Sequence, residues 1–161
     1  EKYKNLMFKV AHDILNDQSL AEDAVHMSFV KIINNIHKID EEKESSTRNF
    51  MAIICRNMAI NLYNKRRKMN ENSTVEANRE LEDTKYDPSK IVIDNDSAQL
   101  IYQAVSELPD IYSDVLVLKI AYQYTREEIA GLLDIQPNNV KKRLAVARSK
   151  IAQALEKEGL I

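Results

Sequence analysis

The chain has 161 residues, 44% of them hydrophobic, with a net charge of −2, two glycines, three prolines, no tryptophan and a single cysteine. This length suits one large domain or two small ones, and so little Gly and Pro beside long runs of Ala, Leu, Ile, Glu and Lys specifies an all-α protein. The lone Cys55 excludes an intrachain disulfide, the three histidines lack metal-ligand spacing with it, and the most apolar stretch, "VLVLKIAY", is interrupted by Lys119 and far shorter than the roughly 20 residues of a membrane span. A cytoplasmic protein with no cofactor and no direct membrane insertion is expected. No signal peptide is visible, and Cys55 is expected to pack as a small hydrophobe.

Residues 3 to 15 place Tyr3, Met7, Val10 and Ile14 at helical spacing. A second helix, "LAEDAVHMSFVKIINNI", puts Val25, Phe29, Ile32 and Ile36 on a buried stripe and turns Asp23, Met27, Val30 and Asn34 outward. Apolar side chains exposed beside charge mark a surface for a protein partner, although scattered surface hydrophobes are common. The third helix, "RNFMAIICRNMAINLYNKRRK", buries Phe50, Ile54, Met58 and Leu62 and ends in the cations Lys65 to Lys68. Such cations favour the negative end of the helix dipole, and they equally suit contact with phosphate.

The small net charge conceals three unlike segments. Residues 1 to 69 carry 12 basic and 9 acidic side chains, residues 70 to 97 carry 3 and 8, and residues 98 to 161 carry 8 and 8. The middle segment is polar and acidic, with too few apolar side chains to offset its ordering entropy, which predicts a flexible linker between two helical domains. Its length spans about 30 Å as a flexible coil or roughly 90 Å fully drawn out.

In the C-terminal segment, "TREEIAGLL" places Thr125 and Glu128 at capping-box spacing ahead of the apolar Ile129, Ala130, Leu132 and Leu133. "DIQ" breaks that pattern, and Pro137 suits the first residue of a new helix, where no amide hydrogen is needed. A helix, a short turn and a second helix follow. At about 100° per residue, Val140, Leu144, Ala147 and Ile151 share one face of the second helix and Asn138, Lys142, Ala145 and Ser149 the opposite one. Lys141 and Arg148 flank that crest on one edge, Arg143 and Lys150 on the other. A crest of small and polar residues between two rows of cations fits a DNA major groove, with base edges at its floor and phosphates on its walls. Asn138 and Asn139 open the helix with side chains suited to adenine edges. A solvated basic face is the competing reading for any single basic helix. Phosphate attraction is screened beyond about 10 Å, so this local strip outweighs the acidic total.

Taken together, "AEDAVHMSFVKI", "FMAIICRNMAINLYNKRRK", the linker, and "LPDIYSDVLVLKIAYQYTREEIAGLLDIQPNNVKKRLAVARSKI" resemble the extracytoplasmic-function (ECF) sigma factors, group 4 of the bacterial sigma-70 family. The resemblance covers residues 3 to about 156. It implies an RNA polymerase sigma factor with a domain at 1–69 for core polymerase and the promoter minus-10 element, a linker at 70–97, and a helix-turn-helix domain at 98–161 for the minus-35 element. On that resemblance Asp23, His26, Met27 and Val30 meet the clamp helices of the polymerase beta-prime subunit, with His26 and Met27 in place of the family's usual Gln-Glu pair. Ile39, Arg56, Asn57, Asn61, Lys65 and Arg66 serve the minus-10 element. Asn138, Asn139, Lys141, Lys142, Arg143, Arg148 and Lys150 serve the minus-35 element. Asp134 and Asn138 stand where the family commonly has Gly, Gln136 replaces a small capping residue, and Val146 replaces a common Arg. The resemblance also implies an anti-sigma factor, often membrane-anchored, as partner. A stand-alone helix-turn-helix regulator is the alternative, and an enzyme fits poorly, since no glycine-rich phosphate loop or nucleophile-base motif is present.

Overall fold

The computed structural model describes residues 2–35, 44–70 and 96–159. Among these, seven helices follow one another: α1 (Lys4–Leu15), α2 (Gln18–Asn35), α3 (Glu44–Asn70), α4 (Asp96–Ser106), α5 (Asp110–Ile120), α6 (Arg126–Leu133) and α7 (Pro137–Lys157). No strand interrupts them among the described residues. Most of the expected linker, residues 71–95, lies outside the described residues, as do Ile36 and Ile39. Asn70, expected to open that linker, is instead the last residue of α3, and Asp96 and Ser97, expected to close it, form the first turn of α4. The chain divides into two compact units, one built on α1, α2 and α3, the other on α4, α5 and α7.

In the first unit all three helices pack on one another. Asn16 ends α1 in the left-handed conformation, φ 47°, with its amide donating to the His12 carbonyl at 2.8 Å. Asn tolerates that conformation better than most residues. Asp17 then caps α2, its Oδ1 accepting from the Leu20 amide at 3.0 Å, and so satisfies one of the amides that a helix start leaves unpaired. Small side chains dominate the seams: Ala11, Ala21, Ala24, Ser28, Cys55 and Ala59 are fully buried. Residues this small let backbones approach closely, and the Cys55 thiol bridges the gap by donating to the Met7 carbonyl at 3.1 Å. Burial pushes the thiol up to about 11, against a smaller lowering by Ser28. Cys55 is therefore a packed, protonated side chain, as expected.

The expected stripes are met in outline and shifted in detail. On α3, Phe50, Ile54 and Met58 are buried and Leu62 half-buried. Because α3 packs against both α1 and α2, nearly every residue from Phe50 to Ala59 is buried, a wider band than one stripe. On α1 the buried row is Met7, Ala11 and Leu15, with Tyr3, Val10 and Ile14 half-buried at its edge.

In the second unit α7 packs on both α4 and α5. Val115 and Leu118 of α5, Tyr124, Ile129 of α6, and Val140 and Ala147 of α7 are fully buried there, joined by the nearly buried Leu144. Tyr124 sits so deep that burial, aided by the Glu128 carboxylate and Tyr122, pushes its phenol up to about 12.

Candidate nucleic-acid interface

The helix-turn-helix is assembled by local bonds that the sequence spells out. The Thr125 hydroxyl accepts from the Glu128 amide at 3.2 Å, and a Glu128 carboxylate oxygen accepts from the Thr125 amide at 2.7 Å. The capping box expected from the spacing is thus closed in both directions. The far end of α6 is closed by Asp134, at φ 57°, while the Ile135 amide donates to the Ala130 carbonyl at 3.0 Å. That long-reach bond with a left-handed residue is a Schellman ending, for which Gly is the commonest choice and a short polar side chain an acceptable one. Asn138, the other position where the family commonly has Gly, lies within the regular first turn of α7. Gln136 enters α7 in an extended conformation, ψ 142°, and makes no side-chain cap; Pro137 occupies the first turn as expected.

On α7 the phase inferred from periodicity holds. Val140, Leu144 and Ala147 are buried and Ile151 half-buried, whereas Asn138, Lys142, Ala145 and Ser149 are exposed along the opposite side. Asn139, Lys141, Arg148 and Lys150 are exposed as well. Arg143 differs from the other cations in being half-buried. Burial lowers its affinity for its proton, and the nearby Asp114 carboxylate, with Tyr112, opposes that effect. Asp114 lies on α5 and is itself only 3% exposed. Of the strip's five cations, Arg143 is thus the one that is half-buried and near a buried carboxylate. Val146, which stands where the family commonly has Arg, lies one helical turn beyond Lys142 and is exposed. An apolar side chain at that place suits a thymine methyl group.

In the first unit, Asn57, Asn61 and Lys65 form a row along α3 at intervals of four residues, grading from buried through half-buried to exposed. The Asn57 amide group donates to the Ile53 carbonyl at 2.9 Å. Arg56 and Asn57 are each only 7% exposed, so neither lies open on the surface as Lys65 does. Arg66 projects from the exposed end of α3 and pairs with Asp17 at 3.2 Å. On α2, Asp23, His26, Met27 and Val30 are all exposed, and Phe29 is half-buried. Ile33, outside the outward face expected from periodicity, is 67% exposed beside Val30 at 61%, which extends the apolar stripe by nearly a turn. Its signal was its apolar character off the buried phase of α2.

Residues 1–69 match the family model described as Sigma-70 region 2, and residues 98–151 match that described as Sigma-70, region 4. The ECF RNA polymerase sigma factor SigW of Bacillus subtilis (strain 168) is 26% identical over 166 residues, covering 95% of this chain and 84% of the relative. The chain is an ECF sigma factor of the sigma-70 family. The RNA polymerase sigma factor YlaC of the same organism is likewise 26% identical, over 95% of this sigma factor and 85% of the relative. A solved structure of the sigma factor RpoE in complex with the anti-sigma factor NepR, from Bartonella quintana, is similar at 17% identity with a TM-score of 0.39, covering 95% of this chain and 91% of that one. As an RNA polymerase sigma factor, the protein binds core polymerase and promoter DNA and directs transcription initiation; both sigma regions in one chain, in order, disfavour a stand-alone regulator. No helix among the described residues is long and apolar enough to cross a membrane.

Proposed function

We propose that this sigma factor reads the minus-35 element with α7 while α3 engages the minus-10 element and α2 holds the polymerase clamp helices. The observation that carries the minus-35 assignment is the exposed row Asn138, Lys142, Ala145 and Ser149 directly opposite the buried Val140, Leu144 and Ala147. Base contact falls to Asn138, Asn139 and Lys142, and phosphate contact to Lys141, Arg148 and Lys150. Arg143, half-buried near Asp114, borders the same strip. At the minus-10 element Asn61, Lys65 and Arg66 make contact, with Asn57 and Arg56 beneath them. Asp23, His26, Met27, Val30 and Ile33 form the clamp-facing stripe, polar at its N-terminal end and apolar from Met27 onward.

The functional domains are 1–69 and 98–161, extended by the helical Asn70 and by Asp96 and Ser97, and the acidic segment 71–95 threads polymerase between them. Free factor binds DNA weakly, because only the polymerase fixes the spacing of both domains and raises their effective concentration at a promoter. An anti-sigma factor that covers the polymerase-facing surfaces completes the cycle and, if membrane-anchored, holds this cytoplasmic, non-enzymatic protein at the membrane. Transcription in vitro with core polymerase and a promoter library tests the proposal. Initiation at a defined promoter class is expected only when the factor is added. Failure to bind core, together with tight binding of a free dimer to DNA, would instead establish a stand-alone regulator.

A further inference from the structure

The two oxygens of one carboxylate join elements far apart in sequence. Asp17 Oδ1 accepts from the Leu20 amide at 3.0 Å and caps α2, while Asp17 Oδ2 accepts from Arg66 Nη1 at 3.2 Å near the end of α3. The Arg66 side chain is 51% exposed and that of Asp17 33% exposed, so both are within reach of solvent. A carboxylate and a phosphate present the same kind of anionic oxygens to a guanidinium. An ion pair this exposed is also weak enough to exchange.

We propose that Asp17 is an internal competitor for promoter DNA at Arg66, occupying the guanidinium until a backbone phosphate displaces it. The carboxylate stays in place afterwards, since its other oxygen still caps α2. Asp17 is thus a positioning residue. It aims Arg66 from the start of the clamp-facing helix, and lowers the affinity of the end of α3 for stray DNA. The inference rests on the minus-10 assignment of Arg66 made above.

The test separates capping from competition. Asn and Ser cap a helix about as well as Asp does, so Asp17→Asn and Asp17→Ser should preserve the fold while freeing Arg66. Reconstituted holoenzyme is titrated with a fluorescent promoter fragment obtained from the library transcription, at several salt concentrations. Both variants should bind about two- to fivefold more tightly at low salt, with the dependence of log affinity on log salt steeper by up to about 0.9. In an Arg66→Gln background, which itself should weaken binding, Asp17→Asn should then change nothing. Tightening that persists without Arg66 would show a general charge effect and overturn the proposal. So would unaltered affinity in Asp17→Asn, or loss of folding in both neutral-cap variants, which would make the carboxylate purely structural. Unchanged affinity in Arg66→Gln alone would remove Arg66 from the minus-10 assignment, and this inference with it. Loss in Arg66→Gln without any gain in Asp17→Asn would sink the competition and leave the assignment standing.

Discussion

Lys142→Ala separates base reading from phosphate grip on α7. Lys142 lies two residues from both Val140 and Leu144, about 200° around the helix from each, and is exposed where they are buried. With α7 in the major groove as proposed, a side chain there would point to the groove floor, where a good base contact discriminates by about 1 to 3 kcal/mol, or roughly 5- to 150-fold between preferred and disfavoured sequences. Removing it should flatten the preference at one or two minus-35 positions and leave the remaining positions as they were. Arg148 and Lys150 lie on the flanks, so replacing either with Ala should weaken every promoter alike and reduce the salt dependence by about 0.9 per lost phosphate contact. Arg143→Gln has a third outcome. It strips a nearly buried Asp114 of its nearby cation, so the second unit should lose stability before any sequence preference changes. Each holoenzyme is profiled over randomised minus-35 elements, with thermal melts of the free factor alongside. If Lys142→Ala scales all promoters down evenly while Arg148→Ala rewrites preference, the assigned roles of the two positions are refuted. If neither has any effect, α7 is a solvated basic face and its DNA role must be abandoned.

Further outcomes follow from other parts of the fold. Met27→Glu, and more strongly Met27→Glu with Ile33→Glu, should weaken core binding in a pull-down with little change in melting temperature, because both side chains are exposed; unchanged affinity would remove that stripe from the interface. Thr125→Ala breaks one arm of the capping box and should cost about 1 kcal/mol in chemical denaturation of the second unit, while a cost near zero would show that α6 is held without it. The Cys55 thiol, pushed up to about 11, stays protonated in the fold while the unfolded chain begins to ionise near pH 8.5. Its contribution is therefore complete below about pH 8.5 and should be lost as pH rises toward 11. Cys55→Ala should flatten the corresponding fall in melting temperature, and an unaltered pH profile would contradict the burial effect.

Much of the second unit could be read without a structure because its signals are local. Thr125 and Glu128 are three residues apart and close their own ring of hydrogen bonds. Pro137 needs no amide partner and therefore starts α7. The row from Val140 to Ala147 follows from helix geometry once that start is known. The polar and cationic side of α7 is the remainder, so its exposure was determined at the same moment.

Tertiary structure decided whatever depends on a neighbour from elsewhere in the chain. Arg143 has the same spacing to the crest as other flanking cations, and only the packing of α5 against α7 brings Asp114 near it and leaves it half-buried. The phase of α1 drifted from Val10 and Ile14 to Ala11 and Leu15 because small residues allow close approach to α2 and α3, a preference that hydrophobicity alone does not register. The breadth of burial on α3 arises from its having two helical partners at once. Asp17 and Arg66 are 49 residues apart, and no periodicity links a cap on one helix to a cation near the end of another. Local hydrogen bonding and helix phase are properties of adjacent residues and survive in sequence. Which charges meet, and which face is doubly covered, is decided only when the helices pack.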